Sequence, residues 1–249
     1  MTPWVTRLII ANVIVFLLTL GAPMLQEQLM FVPALILIRP WTVITYMFVH
    51  AGFGHIFFNM LALFFFGPRV EITIGSKSFL WLYFLSGIMG AVLSTCLMPR
   101  SAIVGASGAI FGVMLAFAYF WPSEPIYIWG LLPIPAKWMV VAMTALSLFG
   151  GFSGSTDGTA HFAHLGGFLG GYLYLRFLSA SSRASRRRKQ EGVVQATQSD
   201  LERWRRIPRD RMHAVNAEEY DRIFRKIDTQ GVQYLTPAER EFLERFSQL

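Results

Sequence analysis

Charge is so unevenly distributed along this chain that the distribution limits what the chain can fold into. Residues 1–175 carry only six Lys or Arg and four Asp or Glu, whereas residues 176–249 carry sixteen and eleven. Charged residues make up 15% of the whole, against about 25% in ordinary soluble domains. A charge at the centre of a helix in lipid costs about 2.5–3.5 kcal/mol, so long charge-free runs mark membrane-embedded segments and the sparse charges mark their ends. The 21 glycines and 12 prolines follow no period, which excludes a collagen-like chain. The single cysteine, Cys96, excludes an intramolecular disulfide framework and reads as a small core residue. What remains is an all-α polytopic membrane protein with a polar tail.

Six apolar runs are expected to span: 7–21, 54–67, 79–98, 107–121, 136–152 and 160–178. Residues 29–38 are apolar but short and interrupted by Pro33, so they read as an interfacial or partly embedded loop. The N-terminal run has no small-residue cleavage site after it and is expected to be retained. Placing both termini in the cytoplasm puts Arg7, Arg69, Lys77, Lys137 and the run Arg183, Arg186, Arg187, Arg188, Lys189 inside, and only Arg39 and Arg100 outside. That distribution obeys the positive-inside rule. Trp4, Trp41, Trp81, Trp121 and Trp138 fall near the proposed span ends, as an aromatic belt does. Beside a span, the basic run reads as a topology signal that also touches anionic lipid, not as a nucleic-acid site.

Three segments are expected: a six-span membrane domain over 1–180, a basic polar linker over 181–215, and a cytoplasmic helical hairpin over 216–249. In the hairpin, Asn216 with Glu219 and Thr236 with Glu239 have the spacing of capping boxes, Pro237 suits a first helical position, and Gly231 suits a helix end. Tyr220, Ile223, Phe224, Ile227, Leu235, Phe242, Leu243 and Phe246 form its apolar seam. So short a segment buries little core alone, so the seam is expected to dock on another surface, a second copy of the chain among them.

Polar and ionisable residues within membrane spans are functional candidates. They are His50 with His55 and Asn59, Glu71, and His161 with His164, together with Ser107 among Gly105, Ala106 and Gly108. A serine between glycines is commonly a packing position, and a histidine near a span end is commonly interfacial. Together they suggest more: a serine hydroxyl becomes a nucleophile when a histidine takes its proton, and Asn59, His55 and backbone N–H groups could receive a developing oxyanion. Topology offers an independent check. Asn59, Ser107 and His164 each lie early in the second, fourth and sixth spans, which all run from outside to inside. Ser107 to Trp121 and His164 to Leu178 each correspond to about 21 Å of helix at 1.5 Å per residue. In a hydrocarbon core of about 30 Å, both side chains then lie about 9 Å below the outer surface, reached through a wet cavity.

These motifs resemble those of the rhomboid intramembrane serine proteases. Gly105-Ala-Ser107-Gly108 is similar to their GxSG motif, and Ala163-His164 with Gly167 and Gly171 is similar to AHxxGxxxG. His50, His55 and Asn59 match the pattern of their second span, and Gly67-Pro-Arg-Val-Glu71 with Gly75 resembles the segment after it. The similarity covers about residues 40–178. The resemblance implies a dyad, with Ser107 as nucleophile and His164 as general base and then acid. It also implies an oxyanion hole from the Ser107 N–H, His55 and Asn59, with support from Gly105 and His50. Asp157 is not recruited as a third member. Phe111 occupies a position where relatives often place an aromatic, commonly tyrosine, against the catalytic histidine. Gly167 and Gly171 share the His164 face, and with Gly108 they would let the fourth and sixth spans approach closely. Glu71 is expected to cap or pair near the inner surface.

The implied function is cleavage of single-pass membrane proteins within or beside their transmembrane segment, in a bacterial inner membrane. The alternative is a catalytically inert relative that binds membrane proteins, although such relatives usually lose the serine or the histidine. A zinc site from His161, His164, His50 and His55 lacks both an HExxH pattern and cysteine ligands, and a transporter would show internal repeats. No metal, cofactor or nucleic-acid partner is expected; the expected partners are the lipid bilayer, the substrate and another copy of the chain.

Overall fold

A computed structural model of the chain describes residues 1–128, 130–153 and 160–247, leaving out the side chains of 128, 182–198, 211 and 237. Asp157 and the side chains of the basic run 183–189 lie outside the described residues. The protein is mostly helical and forms two compact units, Met1–Leu178 and Ser179–Leu249. The first unit contains α1 (Pro3–Leu20), α2 (Pro23–Leu29), the single turn α3 (Thr42–Thr45), α4 (Phe53–Ile74), α5 (Ser76–Leu97), α6 (Ser107–Phe120), α7 (Ala136–Phe152) and the start of α8 (His161–Arg205). Between α6 and α7 runs an antiparallel hairpin, β1 (Pro125–Ile128) and β2 (Leu132–Pro135). Among the described residues, α1, α4 and α5 are long and apolar enough to cross a membrane, and α6 and α7 are shorter apolar helices. Neither α2, which begins with Pro23 at a first-turn position, nor the hairpin is among the elements expected from the sequence.

α6 is the central element. Ten of its fourteen residues are buried, from Gly108 to Ala118, which fits a helix that is apolar on every side. It packs against α4, α5 and α7. The surrounding helices reverse the soluble pattern. Their outer faces expose Ile14, Leu17, Phe57, Phe65 and Phe149, while Asn12, Asn59, Ser86 and Ser147 are buried within. Such a molecule has its apolar solvent on the outside, and the protein is a membrane protein. Cys96 is exposed near the end of α5, so its expected core position is wrong: the last turn of α5 lies at the rim of the packing.

Glu71, only 2% exposed, joins three helices. Its Oε1 accepts the Trp4 N–H at 3.2 Å and its Oε2 the Val5 N–H at 3.1 Å, while the Ser76 hydroxyl donates to Oε1 at 2.7 Å. Pro3 has no N–H, and the Thr6 N–H reaches the Thr2 carbonyl, so the carboxylate completes the hydrogen bonding of the α1 N-terminus. Its negative charge also suits the positive end of that helix. Near α6, Arg69 pairs with Glu124 at 3.0 Å and lies 4.1 Å from the Trp121 ring centre.

In the second unit, α9 (Ala214–Gln230) and α10 (Pro237–Ser247) form the hairpin. The sequence placed the first cap three residues too late, at Asn216 where the N-cap is His213. The His213 carbonyl accepts the N–H groups of Asn216 and Ala217, so Asn216 lies inside the first turn. At α10 the box closes: the Thr236 N–H donates to Glu239 Oε2 at 2.7 Å and the Glu239 N–H to Thr236 Oγ1 at 3.2 Å. The Lys226 ammonium and then the Thr236 N–H hold the Glu239 carboxyl down at about 2. Residues expected as linker are helical through Arg205, because no proline interrupts them before Pro208. Trp204 and Ile207 then join Tyr220, Ile223, Ile227, Leu235 and Leu243 in one core. Part of the seam is thus covered by the chain's own residues, where docking on another surface was expected.

Hydrogen bonds to a charged group contribute about 1.5–3 kcal/mol each. Glu71→Ala should therefore lower stability in detergent by about 4 kcal/mol or more, with Glu71→Gln intermediate because it keeps an acceptor oxygen. Denaturant titration in micelles measures both variants, and unchanged stability in Glu71→Ala would show that the capping bonds contribute nothing net.

Candidate active site

The site is assembled at the first turn of α6. Gly105 has φ +115°, a conformation that L side chains rarely adopt, and a Cβ there would sit 2.6 Å from His55 Nε2. Both conditions require glycine. The Gly105 N–H donates to the Tyr46 carbonyl at 2.9 Å, and the Tyr46 hydroxyl donates to the Gly87 carbonyl at 2.7 Å. The preceding segment is fixed as well: Phe31 and Ile103 exchange backbone hydrogen bonds of 3.0 and 2.8 Å. The chain thus enters α6 held on two sides, with Ser107 as its first helical residue.

α8 brings His164 to the same place. His164 Nε2 lies 2.8 Å from Ser107 Oγ. This distance is possible because the two backbones almost touch. A side chain at Gly167 would overlap the Gly108 carbonyl, and one at Gly171 would lie 2.8 Å from Gly112 Cα. Gly108 itself faces the Ala163 carbonyl, with a Cβ there only 3.2 Å away. The adjacent pair, Gly166 and Gly170, does the same against α5. A Cβ on Gly166 would meet the Gly90 Cα at 2.6 Å, and one on Gly170 the Leu85 carbonyl at 2.9 Å. The doubled Gly-Gly pairs therefore serve two neighbouring helices from adjacent faces of α8.

Phe111 stacks on His164 with ring centres 4.1 Å apart and planes 18° apart, and Phe168 backs it at 4.8 Å. Ser107, His164, His55 and Asn59 open into one cavity of about 690 Å³, walled further by Phe58 and Met143. The Ala51 N–H donates to His55 Nδ1 at 3.4 Å, so the neutral ring carries its proton on Nε2, which faces Gly105. Asn59 spends one amide hydrogen on the His55 carbonyl at 2.7 Å and keeps a second. Ser107 lies in the first turn of α6, where backbone N–H groups have no helical acceptor. Three donors are therefore available around the serine.

Gly105 and His50 act on the backbone leading into Ser107. The Gly105 N–H is committed to Tyr46, so Gly105 contributes its backbone conformation rather than a donor. His50 is 3% exposed and lies behind His55, with ring centres 5.0 Å apart at 70°. Its Nε2 accepts the Ala106 N–H at 3.5 Å, a long contact next to the serine. Tyr46 is the supporting residue that the sequence did not reveal, because its acceptor is a main-chain carbonyl that any residue type could provide.

A helical membrane protein whose central helix presents a serine to a histidine, beside unspent donors, belongs to a narrow class. The sequence profile of the Rhomboid domain matches residues 38–181. RHOMBOID-like protein 1 of Arabidopsis thaliana is 36% identical over 135 residues, covering 53% of this chain and 33% of that protein. Rhomboid protein 1, mitochondrial, of Saccharomyces cerevisiae is 34% identical over 149 residues, covering 57% and 43%. Rhomboid-like protease 3 of Toxoplasma gondii is 34% identical over 145 residues, covering 57% and 52%. The chain thus spans from a third to about half of the length of these relatives, and it belongs to the rhomboid family.

Overpacking a tight contact typically costs about 1–3 kcal/mol and can cost more where backbone must move. Gly167→Val should lower detergent stability by about that amount and abolish labelling of Ser107 by a fluorophosphonate. Wild-type labelling in a stable Gly167→Val protein would contradict the contact that the geometry requires.

Proposed function

We propose that this protein is an intramembrane serine endopeptidase that cuts single-pass membrane proteins within or next to their transmembrane segment. The observation that carries this reading is the 2.8 Å approach of Ser107 Oγ to His164 Nε2 in a cavity shared with His55 and Asn59. Family membership and relatives named as proteases support it. As Oγ bonds to the substrate carbonyl carbon, its proton passes to His164 Nε2. The carbonyl oxygen becomes negative and receives the Ser107 N–H, His55 Nε2–H and the free Asn59 Nδ2–H. His164 then protonates the leaving amine. Water, deprotonated by the same nitrogen, bonds to the acyl carbon; the bond to Oγ breaks, His164 returns the proton to Oγ, and the carboxylic acid product leaves. The cavity walls add only apolar side chains to these polar groups, which suits an apolar substrate segment.

In the membrane, α1, α4, α5, α6, α7 and the start of α8 make six crossings, with both termini in the cytoplasm of a bacterial cell. The lysine and arginine distribution supports that orientation.

Because Ser107 and His164 act as one unit, Ser107→Ala and His164→Ala should each abolish cleavage of a single-span substrate, and the double variant should be no worse. Residual near-normal cleavage by Ser107→Ala would refute the dyad. An inert relative, the competing reading, would show no cleavage in the wild type and no fluorophosphonate labelling at Ser107. Loss of one oxyanion donor costs about 10²–10³ in kcat. Asn59→Ala should therefore reduce kcat with KM nearly unchanged; a change confined to KM would make Asn59 a binding residue.

A further inference from the structure

The β1–β2 hairpin has no part in the proposed chemistry, yet its composition is unusual for a connection at the membrane boundary. Between Glu124 and Lys137 no residue is charged, and Tyr127 carries the only side-chain hydroxyl. Ile126 and Ile134, directly opposed in the ladder, pack towards the core. Tyr127 and Pro133, opposed on the other face, are exposed, and so are Leu131 and Leu132 at 85% and 59%. In a water-facing turn that arrangement would be unfavourable.

The hydrogen-bonding parity is equally informative. The Ala136 N–H donates to the Glu124 carbonyl at 2.9 Å, so 124 and 136 are a bonded pair, and by alternation so are 126 with 134 and 128 with 132. The positions whose N–H groups would point outward are therefore 125 and 127 on β1, and 133 and 135 on β2. Three of those four are proline: Pro125, Pro133 and Pro135. The two free edges together offer one outward N–H, that of Tyr127. An edge with so few donors is a poor template for a partner strand. It is also far less costly to place in a medium of low polarity, where unpaired backbone N–H groups are strongly disfavoured. The outward carbonyls that remain need only the water and headgroups of the interfacial layer.

The hairpin joins α6 to α7 between Trp121 and Trp138, with Arg69 and Lys137 beside its base, so it begins where the membrane boundary lies. We propose that β1 and β2 are embedded in the interfacial layer of the leaflet at that boundary, with Tyr127, Leu131 and Leu132 against lipid. The partner is the lipid surface itself. This follows from the membrane character of the protein and stands whether or not the chain is a protease.

Tyr127 and Tyr234 offer a matched comparison, at 60% and 61% exposed in the protein alone. Hydroxyl-radical footprinting of the full-length wild-type protein in phosphatidylcholine–phosphatidylglycerol nanodiscs should oxidise Tyr127 several-fold more slowly than Tyr234. Equal rates would overturn the proposal, since a hairpin in water, or one awaiting a protein partner, leaves Tyr127 open. A second measurement uses a fluorophore on Leu131→Cys in a Cys96→Ser background. Lipid spin-labelled near the headgroup should quench it more than lipid labelled deep in the acyl chain. Strong quenching by aqueous iodide with none by either lipid would refute the insertion.

Discussion

The contact between α6 and α8 sets the rest of the membrane unit. Where Gly108 meets Gly167 and Gly112 meets Gly171, neither helix presents a side chain, and main chain lies directly against main chain. In lipid no hydrophobic force drives helices together, so close packing of this kind supplies much of what holds them. The same contact brings His164 within hydrogen-bond distance of Ser107. Every larger feature accommodates it: α6 is buried on all sides, α5 takes the second glycine pair of α8, and the wider gaps are filled by phenylalanines such as Phe111 and Phe168.

A second level of organisation consists of main-chain groups satisfied by side chains from elsewhere in the chain. Glu71 completes the start of α1 while receiving the Ser76 hydroxyl at the start of α5. Tyr46 fixes the turn before Ser107 through its carbonyl and reaches α5 through its hydroxyl. His55 is held by one nitrogen so that the other is left as a donor. Each of these anchors spans two or three elements, so the geometry around Ser107 rests on rigid surroundings rather than on the short helix alone.

Much of this was legible in the residues. Ser107, His164, His55 and Asn59 are polar types in apolar runs, and such positions stand out because lipid penalises them. Gly167 and Gly171 were legible from their spacing on the His164 face. Gly166 and Gly170 were not, because no marked residue on their own face pointed to a partner. Tyr46, Phe31 and Ile103 act through backbone atoms, which leave no trace in residue type. The hairpin was hidden by its own prolines: proline normally argues against a strand, and here each occupies an outward position where no ladder bond is lost. In the tail, residues 181–205 looked like linker because they are polar, yet polarity alone does not prevent a helix, and Trp204 gives its end something to pack into.

The stacking of Phe111 on His164 has a consequence for charge. A phenyl ring has a negative face, and a cation held against that face is attracted to it, more strongly where water is excluded. In the proposed hydrolysis the imidazole is neutral at rest and cationic only while it holds the serine's proton. The arene 4.1 Å away is therefore nearly indifferent to the resting ring and favourable to the fleeting one. A tyrosine there would present the same face plus a hydroxyl in need of a partner. Phenylalanine offers stabilisation timed to the reaction and makes no polar demand of its own.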